Sequence, residues 1–197
     1  MPENTIRKNS AIRNFFTVKR ITAMAILIAL QIVLARFLGW QVSEGLRISF
    51  ESIPVLIAGM WLGPVAGLLV GVISDFLGTV ISGYGFYFLP LAITPIVNGV
   101  LPPLIFRYVF KDNITVFRCV IVLVITQLIA SMLLGTYALT WYYKLFVPGK
   151  NNAFGVLFVA RLTKLATIAA DTVIVTLLHM SMYKKVIRPM FAERKKA

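Results

Sequence analysis

The stretch RISFESIPVLIAGMWLGPVAGLLVGVISDFLGTVISGYGFYFLP, residues 47–90, decides the fold of this chain. It contains two apolar runs, 53–62 and 65–81, and only Gly63-Pro64 separates them. Glycine and proline together mark a turn, so the chain has to reverse its direction between the two runs. The stretch therefore predicts a pair of packed helices that turns back at one membrane face.

The second apolar run carries two glycines and one charge. Gly67 and Gly71 are four residues apart, a spacing that lets a neighbouring backbone approach closely inside a membrane. Asp75 follows, and an ionisable residue at that depth usually faces a protein interior or a cavity. Asp75 is therefore a candidate ligand contact, although it could instead neutralise Lys164 or Arg36 within the bundle.

Composition places the chain in a membrane. Apolar residues make up 59% of the sequence, and the mean hydropathy of +0.86 lies outside the range of soluble globular proteins. One cysteine, Cys119, and one histidine, His179, exclude a disulfide framework and metal sites built from several Cys or His, so no metal or cofactor is expected. The net charge of +13 comes from membrane-flanking segments, which argues against nucleic acid as a partner.

The apolar segments predict an all-α integral membrane protein with six transmembrane helices. A spanning helix needs about 20 apolar residues, and most of these segments approach that length. Residues 1–18 form a basic N-terminal arm, 19–185 the six-helix domain that lies in the lipid bilayer, and 186–197 a basic tail. The predicted helices are 21–38, 53–62, 65–81, 91–109, 116–139 and 156–182.

The basic residues set the orientation. Five lie within residues 7–20, three within 107–118 around the loop between the fourth and fifth helices, and six within 184–196, so 14 of the 20 mark one membrane face. The positive-inside rule makes that face, with both termini, cytoplasmic. The other six cations fall in outer loops or outer helix halves and predict an anionic ligand arriving from outside, although Arg36 and Arg47 could simply snorkel. These six are Arg36, Arg47, Lys144, Lys150, Arg161 and Lys164.

A glycine-rich aromatic loop, 82–90, precedes the fourth helix. Tyr84, Phe86 and Tyr87 could form part of an aromatic belt at the membrane interface. They could equally stack on a flat heterocycle and close over it. Both interpretations remain open from the residues alone.

Together these features resemble the substrate-binding S components of energy-coupling factor (ECF) vitamin transporters. The resemblance covers nearly the whole chain and rests on six helices, on Ala25-x-x-x-Ala29 in the first helix, and on the junction AGMWLGPVAG, residues 58–67, followed by Asp75. The run LRISF, residues 46–50, and Arg161-x-x-Lys164 are similar to the folate branch of that family.

The resemblance implies a vitamin-binding subunit of an ATP-driven importer. It would bind folate from the extracellular side and deliver it inward with a transmembrane coupling subunit and two cytoplasmic ATPases. Asp75 would accept the amino and ring N–H groups of the pterin. The residues expected to contact the substrate are Arg36, Arg47, Phe50, Asp75, Tyr84, Phe86, Tyr87, Arg161 and Lys164.

Several other residues are expected to have roles in packing, docking or anchoring. Ala25 and Ala29 would dock the coupling subunit, although small residues four apart also serve tight packing inside a bundle. Asp171 is expected to be a structural partner, His179 to pack or to lie at an interface, and Trp61 to anchor the helix at the membrane interface.

Three alternatives remain. The vitamin could be riboflavin or pantothenate. A non-transporting membrane scaffold would explain the hydrophobicity but not the outer cations. A membrane enzyme would need clustered acids or a nucleophile beside a base, and the sequence provides neither, so no catalytic residue is predicted. The sequence also has no Walker A motif, and energy has to come from partner subunits.

Overall fold

The computed structural model describes residues 17–37, 39–43, 46–48, 50–82, 88–111, 115–146, 154–183 and 185. Within these ranges the chain is a helical bundle with one short β-hairpin. Its elements, in chain order, are α1 (Val18–Phe37), β1 (Trp40–Ser43), β2 (Leu46–Ile48), α2 (Ser52–Leu62), α3 (Pro64–Ser82), α4 (Ile93–Tyr108), α5 (Val116–Gln127), α6 (Gly135–Phe146), α7 (Phe154–Ala160) and α8 (Lys164–Met182).

Segments of other helical geometry join some of these elements. A 3₁₀ turn, Leu89–Ala92, leads into α4, and a π-helical segment, Leu128–Leu134, joins α5 to α6. A second 3₁₀ turn, Arg161–Thr163, lies between α7 and α8. The fifth and sixth predicted helices are therefore continuous rods with a local change of helical geometry inside each.

Five helical stretches of the described chain are long and apolar enough to cross a membrane, which confirms the predicted membrane bundle. The other predicted crossing, α2, has 11 residues. At a rise of about 1.5 Å per residue it covers roughly half of a hydrocarbon core about 30 Å thick. The five stretches are Val18–Ala35, Pro64–Ile81, Leu89–Tyr108, Val116–Phe146 and Lys164–Met182.

The reversal between α2 and α3 depends on Gly63. Its φ of 99° lies in the left-handed region, which glycine adopts without steric penalty. The Gly63 N–H donates to the Gly59 carbonyl at 3.0 Å, and Pro64 starts α3, a position where its missing N–H costs nothing. The predicted sharp turn at Gly63-Pro64 is confirmed.

Glycines bring the backbones of α3 and α4 into direct contact. A Cβ atom added at Gly67 would lie 2.2 Å from the Gly99 carbonyl oxygen, and one at Gly71 would lie 2.8 Å from the Pro95 carbonyl oxygen. Gly59 of α2 approaches the same Gly99 carbonyl, again at 2.2 Å from a built Cβ. The predicted close approach is confirmed, and its partner is α4.

Helix α2 is the centre of the bundle. It is apolar on all sides, and Val55, Leu56 and Ala58 are almost completely buried. It packs against α1, α3, α4 and α8, and the two hydrophobic clusters of the bundle meet on it. The outward faces of the longer helices instead carry exposed large apolar side chains, as expected for surfaces in contact with lipid.

Two connections differ from the predictions. The segment between the first two predicted helices, 21–38 and 53–62, contains an antiparallel hairpin in which Trp40 pairs with Ile48. The predicted end of the fifth helix at residue 139 is wrong, because α6 continues to Phe146. The aromatic residues of that extra turn and a half pack against Phe88, which stabilises the additional helix.

Candidate functional site

A cavity of about 360 Å³ lies inside the bundle. Its walls come from the end of α1, the start of α2, the second half of α3, the start of α4, the middle of the α5–α6 rod and the start of α8. All of these parts lie away from the α2–α3 turn, so the cavity occupies the half of the bundle that also contains the hairpin. A cavity of this size suits a small organic ligand.

Arg161 is fixed in the wall by the π-helical segment. Its Nη1 donates to the Ser131 carbonyl at 3.0 Å and to Thr136 Oγ1 at 3.3 Å. Its Nε is buried and has no hydrogen-bond partner among the described residues. One edge of the guanidinium is therefore held by protein.

The π-helical segment exposes carbonyl groups that an ordinary α-helix would use internally. Thr94 of α4 donates to the Ala130 carbonyl at 3.3 Å, and Arg161 donates to the next carbonyl, that of Ser131. Gly135 ends the segment, and a Cβ atom there would lie 3.1 Å from Arg161 Nη1. A side chain at position 135 would therefore crowd the Arg161 guanidinium.

A second charged group lies one turn deeper on α8. Lys164 lines the cavity and interacts electrostatically with Asp171, two turns further along the same helix. Asp171, Ser52 and Glu51 also line the cavity. Carboxylates and cations therefore alternate along this wall, and the cavity is not the purely cationic site that the outer cations predict.

The deepest part of the cavity is polar. Asn98, Gln127 and Asp171 are each at most 3% exposed, and all three line the cavity. Asn98 Oδ1, Gln127 Nε2 and Asp171 Oδ1 have no hydrogen-bond partner within the described ranges. Each of these three atoms has less than 1 Å² of accessible surface, so the three side chains line the cavity through their other atoms. By contrast, the neighbouring Ser74 hydroxyl donates to Gln31 Oε1.

Aromatic side chains close the opposite end. Phe88 and Tyr142 both line the cavity, with ring centroids 5.5 Å apart and ring planes inclined at 65°. Phe88 also contacts Trp141 and Phe146 edge to face, at 6.2 and 5.7 Å between centroids. This aromatic cluster, made of Phe88, Trp141, Tyr142 and Phe146, provides flat apolar surface beside the charged wall.

The structure brings three of the predicted substrate contacts together: Asp75, Arg161 and Lys164 all line the cavity. Phe50 does not line it and instead packs against the hydrophobic cluster around Leu56 and Phe106, which gives it a packing role.

Five other predicted contacts remain untested. Residues 83–87, which include Tyr84, Phe86 and Tyr87, lie outside the described residues, as do the side chains of Arg36 and Arg47.

Ala25 and Ala29 are both exposed on α1. Packing inside this bundle is therefore not their role. Their small side chains leave a shallow strip on a helix surface that is otherwise apolar, with Ile21, Ile26 and Leu30 exposed nearby.

Several lining residues were missed or misjudged. Asp171, expected to be only a structural partner, lines the cavity floor. Gln31, Asn98 and Gln127 carry the signal that could have identified them, since a polar side chain in the middle of an apolar helix usually faces a protein interior or cavity.

Trp61 is half-buried, and its indole N–H donates to Nδ1 of the buried His179 at 3.2 Å, which confirms the packing role of His179.

The cavity offers chemistry for binding. Donors and acceptors, two cations, three carboxylates and aromatic rings converge on it, whereas the part of the chain that the structure describes contains no group of three His, Cys, Asp or Glu side chains suited to a metal ion.

Comparison with known proteins identifies the family. The family described as ECF transporter, substrate-specific component, matches residues 19–180. The chain belongs to this family of ECF transporter S components. A curated relative, the folate transporter FolT of Clostridium novyi (strain NT), is 34% identical over 141 residues, which cover 72% of this chain and 76% of the relative.

Two solved structures share the fold of this S component. The crystal structure of FolT bound with folic acid matches with a TM-score of 0.63 at 22% identity and covers 87% of this chain and 96% of its own. The structure of the S component of a bacterial ECF transporter matches with a TM-score of 0.51 at 19% identity and covers 89% of this chain and 98% of its own. The predicted all-α S-component bundle is thereby confirmed.

Proposed function

We propose that this S component binds folate in the cavity. The observation that carries the proposal is the convergence of Arg161, Lys164 and the aromatic pair Phe88 and Tyr142 on one cavity of about 360 Å³. Folate combines a flat heterocycle with a tail that bears two carboxylates, and this lining offers a partner to each part. The similarity to a folate transporter at 34% identity supports the same ligand.

The cations would hold the glutamate tail. Arg161 lines the cavity and is held by Ser131 and Thr136, so its guanidinium group could engage a carboxylate without reorganising. Arg36 and Arg47 remain proposed contacts for the same tail. Asp75 and Lys164 remain proposed substrate contacts within the wall, and Tyr84, Phe86 and Tyr87 would cover the rings.

Transport would need partner subunits. Family resemblance suggests a transmembrane coupling subunit and two cytoplasmic ATPases that supply the energy, and the role of this chain would be binding and not catalysis. The exposed Ala25 and Ala29 on α1 offer a surface of small side chains on which a helix of the coupling subunit could pack closely.

The proposed topology places both termini in the cytoplasm. The basic arm 1–18 and the basic tail 186–197 would lie on that side of the bilayer, flanking the six-helix domain 19–185. The cavity would then open toward the outside, because it occupies the bundle half away from the α2–α3 turn and from the helix ends next to both termini.

A binding measurement tests the ligand. Isothermal titration of the detergent-purified chain with folate, riboflavin and pantothenate should show saturable binding of folate and no competition by the other two vitamins. Tight binding of riboflavin or pantothenate without binding of folate would refute the proposal.

A further inference from the structure

A polar layer lies where α5 and α8 pack against each other beside the cavity floor. It consists of two consecutive residues on each helix, Thr126 and Gln127 on α5 and Asp171 and Thr172 on α8. All four side chains are at most 2% exposed. Gln127 and Asp171 line the cavity, whereas the two threonines do not, so the layer begins at the cavity and continues into the bundle.

The layer is not held together by hydrogen bonds of its own. Thr126 Oγ1, Gln127 Nε2, Asp171 Oδ1 and Thr172 Oγ1 are four of the seven buried side-chain atoms among the described residues that have no partner. Each has less than 1 Å² of accessible surface, so a water molecule does not fit beside it in this arrangement. Unsatisfied buried polar groups cost free energy, and this layer therefore destabilises the closed contact of the two helices.

Further from the cavity, the same two helices are held in the ordinary way. Thr176 of α8 donates to Cys119 Sγ of α5 at 3.7 Å. Val122, Leu123 and Val175 are at most 1% exposed and belong to the hydrophobic cluster around α2. Apolar packing at this depth keeps α5 and α8 together, and the weak part of their contact is confined to the layer.

The helical rod above the layer offers a place to bend. The π-helical segment Leu128–Leu134 starts at the residue after Gln127, and irregular helical geometry of this kind is where helices bend. The other side of the bundle differs, because the backbones of α2, α3 and α4 touch at Gly59, Gly67 and Gly99. One side of the bundle is therefore rigid, and the other side can deform.

We propose that α5 and α8 separate at the polar layer in the vitamin-free chain, so that water reaches its four groups and the cavity extends between the two helices. Hydration of these groups stabilises the separated state, whereas the apolar cluster below the layer limits how far the separation spreads. The contact of α2, α3 and α4 stays closed. The inference goes beyond vitamin binding, since it identifies the wall of the cavity that moves.

Cysteine labelling measures the separation in the complete chain. Thr172→Cys places a thiol in the layer, and the parent provides the baseline, because its one cysteine, Cys119, is 0% exposed in the apolar cluster. In lipid nanodiscs without vitamin, N-ethylmaleimide should modify Thr172→Cys about tenfold faster than the parent, or more, since local opening exposes the layer first. Val70→Cys, on α3 and also 0% exposed before substitution, is the control and should react as slowly as the parent.

Two labelling results would overturn the proposal. Equal rates for the parent and Thr172→Cys would show that the layer stays closed. A rate for Val70→Cys as high as that for Thr172→Cys would show that the opening is not confined to α5 and α8. Neither measurement involves a vitamin, so a failure of folate to bind would refute the proposed function and leave this test unaffected.

Threonine substitutions give a second test with an unusual sign. Thr126→Val and Thr172→Val replace an unpartnered hydroxyl with a methyl group of the same shape, so the closed state should gain stability. The unfolding temperature in detergent should rise by about 2 °C or more. Thr176→Val is the matched control, because the Thr176 hydroxyl already donates to Cys119 and its loss should bring no rise.

The two tests are joined in one double variant. Thr126→Val combined with Thr172→Cys should be labelled more slowly than Thr172→Cys alone, because the closed layer is then less polar. Labelling that Thr126→Val leaves equally fast, or unfolding temperatures that fall in both valine variants, would overturn the proposal.

Discussion

At the scale of single residues, neighbouring atoms restrict the conformations that a functional side chain of the site can adopt. Arg161 is a long, flexible side chain, yet two acceptors, the Ser131 carbonyl and Thr136 Oγ1, fix its Nη1. Thr136 is fully buried, so solvent does not compete for the hydrogen bond that Arg161 donates to it. The guanidinium group, which lines the cavity, thus has little conformational entropy left to lose when a ligand binds.

Substitution of Arg161 should reveal the anion contact. Arg161→Ala should weaken folate binding by about 1.5–3 kcal/mol, tenfold or more, because a charge-assisted hydrogen bond is lost. Arg161→Lys should recover only part of this loss, since lysine lacks the planar fork. Lys144→Ala is the control, because Lys144 is exposed on α6 and does not line the cavity. Titration with folate that gave equal affinities for parent and Arg161→Ala would contradict the assignment.

The Trp61 and His179 pair should matter for stability and not for binding. In Trp61→Phe the Nδ1 of His179 loses its donor, and His179 Nε2 already has no partner in the described part of the chain. The cost should be about 1–3 kcal/mol, seen as a lower unfolding temperature in detergent. Neither residue lines the cavity, so folate affinity should be unchanged, and a large loss of affinity at unchanged stability would refute this division of roles.

At the scale of elements, close helix contacts shape the cavity. Gly59, Gly67 and Gly99 allow the backbones of α2, α3 and α4 to touch, which draws these helices close together. The glycine spacing in α3 predicted such an approach, whereas its partner on α4 could not be inferred, because Gly99 stands alone in its helix. The role of a single glycine in helix packing can be assigned only when its three-dimensional contacts are known.

Two glycine substitutions test this contact. In Gly67→Ala the new methyl group would meet the Gly99 carbonyl oxygen at 2.2 Å, so the backbones must separate. We expect destabilisation of about 1–3 kcal/mol or more and a clearly lower unfolding temperature. Gly155→Ala on α7 is the matched control, because a Cβ there meets nothing within 4 Å and alanine favours helix. Equal unfolding temperatures for both variants would show that the contact is not needed.

The π-helical segment could not be predicted from the sequence. The segment Leu128–Leu134 is apolar and free of proline, so its residues favour an ordinary α-helix, and only the tertiary donors from Thr94 and Arg161 reveal the π geometry. The extension of α6 to Phe146 could have been predicted. The residues after Trp141 contain no helix breaker before Pro148, so that proline would have predicted the end of the helix better.

At the scale of the whole molecule, hydropathy and charge predicted the membrane bundle. They identified only a few of the residues that line the cavity. Asp75, Arg161 and Lys164 stood out because charges are rare in apolar helices. Asn98, Gln127 and Asp171 belong to three helices distant in sequence, and their convergence arises from packing around α2. Sequence spacing alone could not show that they share one floor.

The outer surface of α1 should couple binding to transport. Ala25→Trp and Ala29→Trp should abolish folate uptake by cells that produce the complete transporter, because the bulky ring blocks close packing of a partner helix. The isolated variants should bind folate like the parent. Val173→Trp is the control, since Val173 is also exposed but lies on α8. Normal uptake by both alanine variants would exclude docking at this surface.

The central claim is that the cavity between α1, α3, α4, α5 and α8 is the vitamin site. A structure of the purified chain determined in saturating folate tests it most directly. We expect ligand density inside the cavity, with the ring system beside Phe88 and Tyr142 and a carboxylate of the tail against Arg161. An empty cavity at saturating folate, or folate bound on another surface, would contradict the claim.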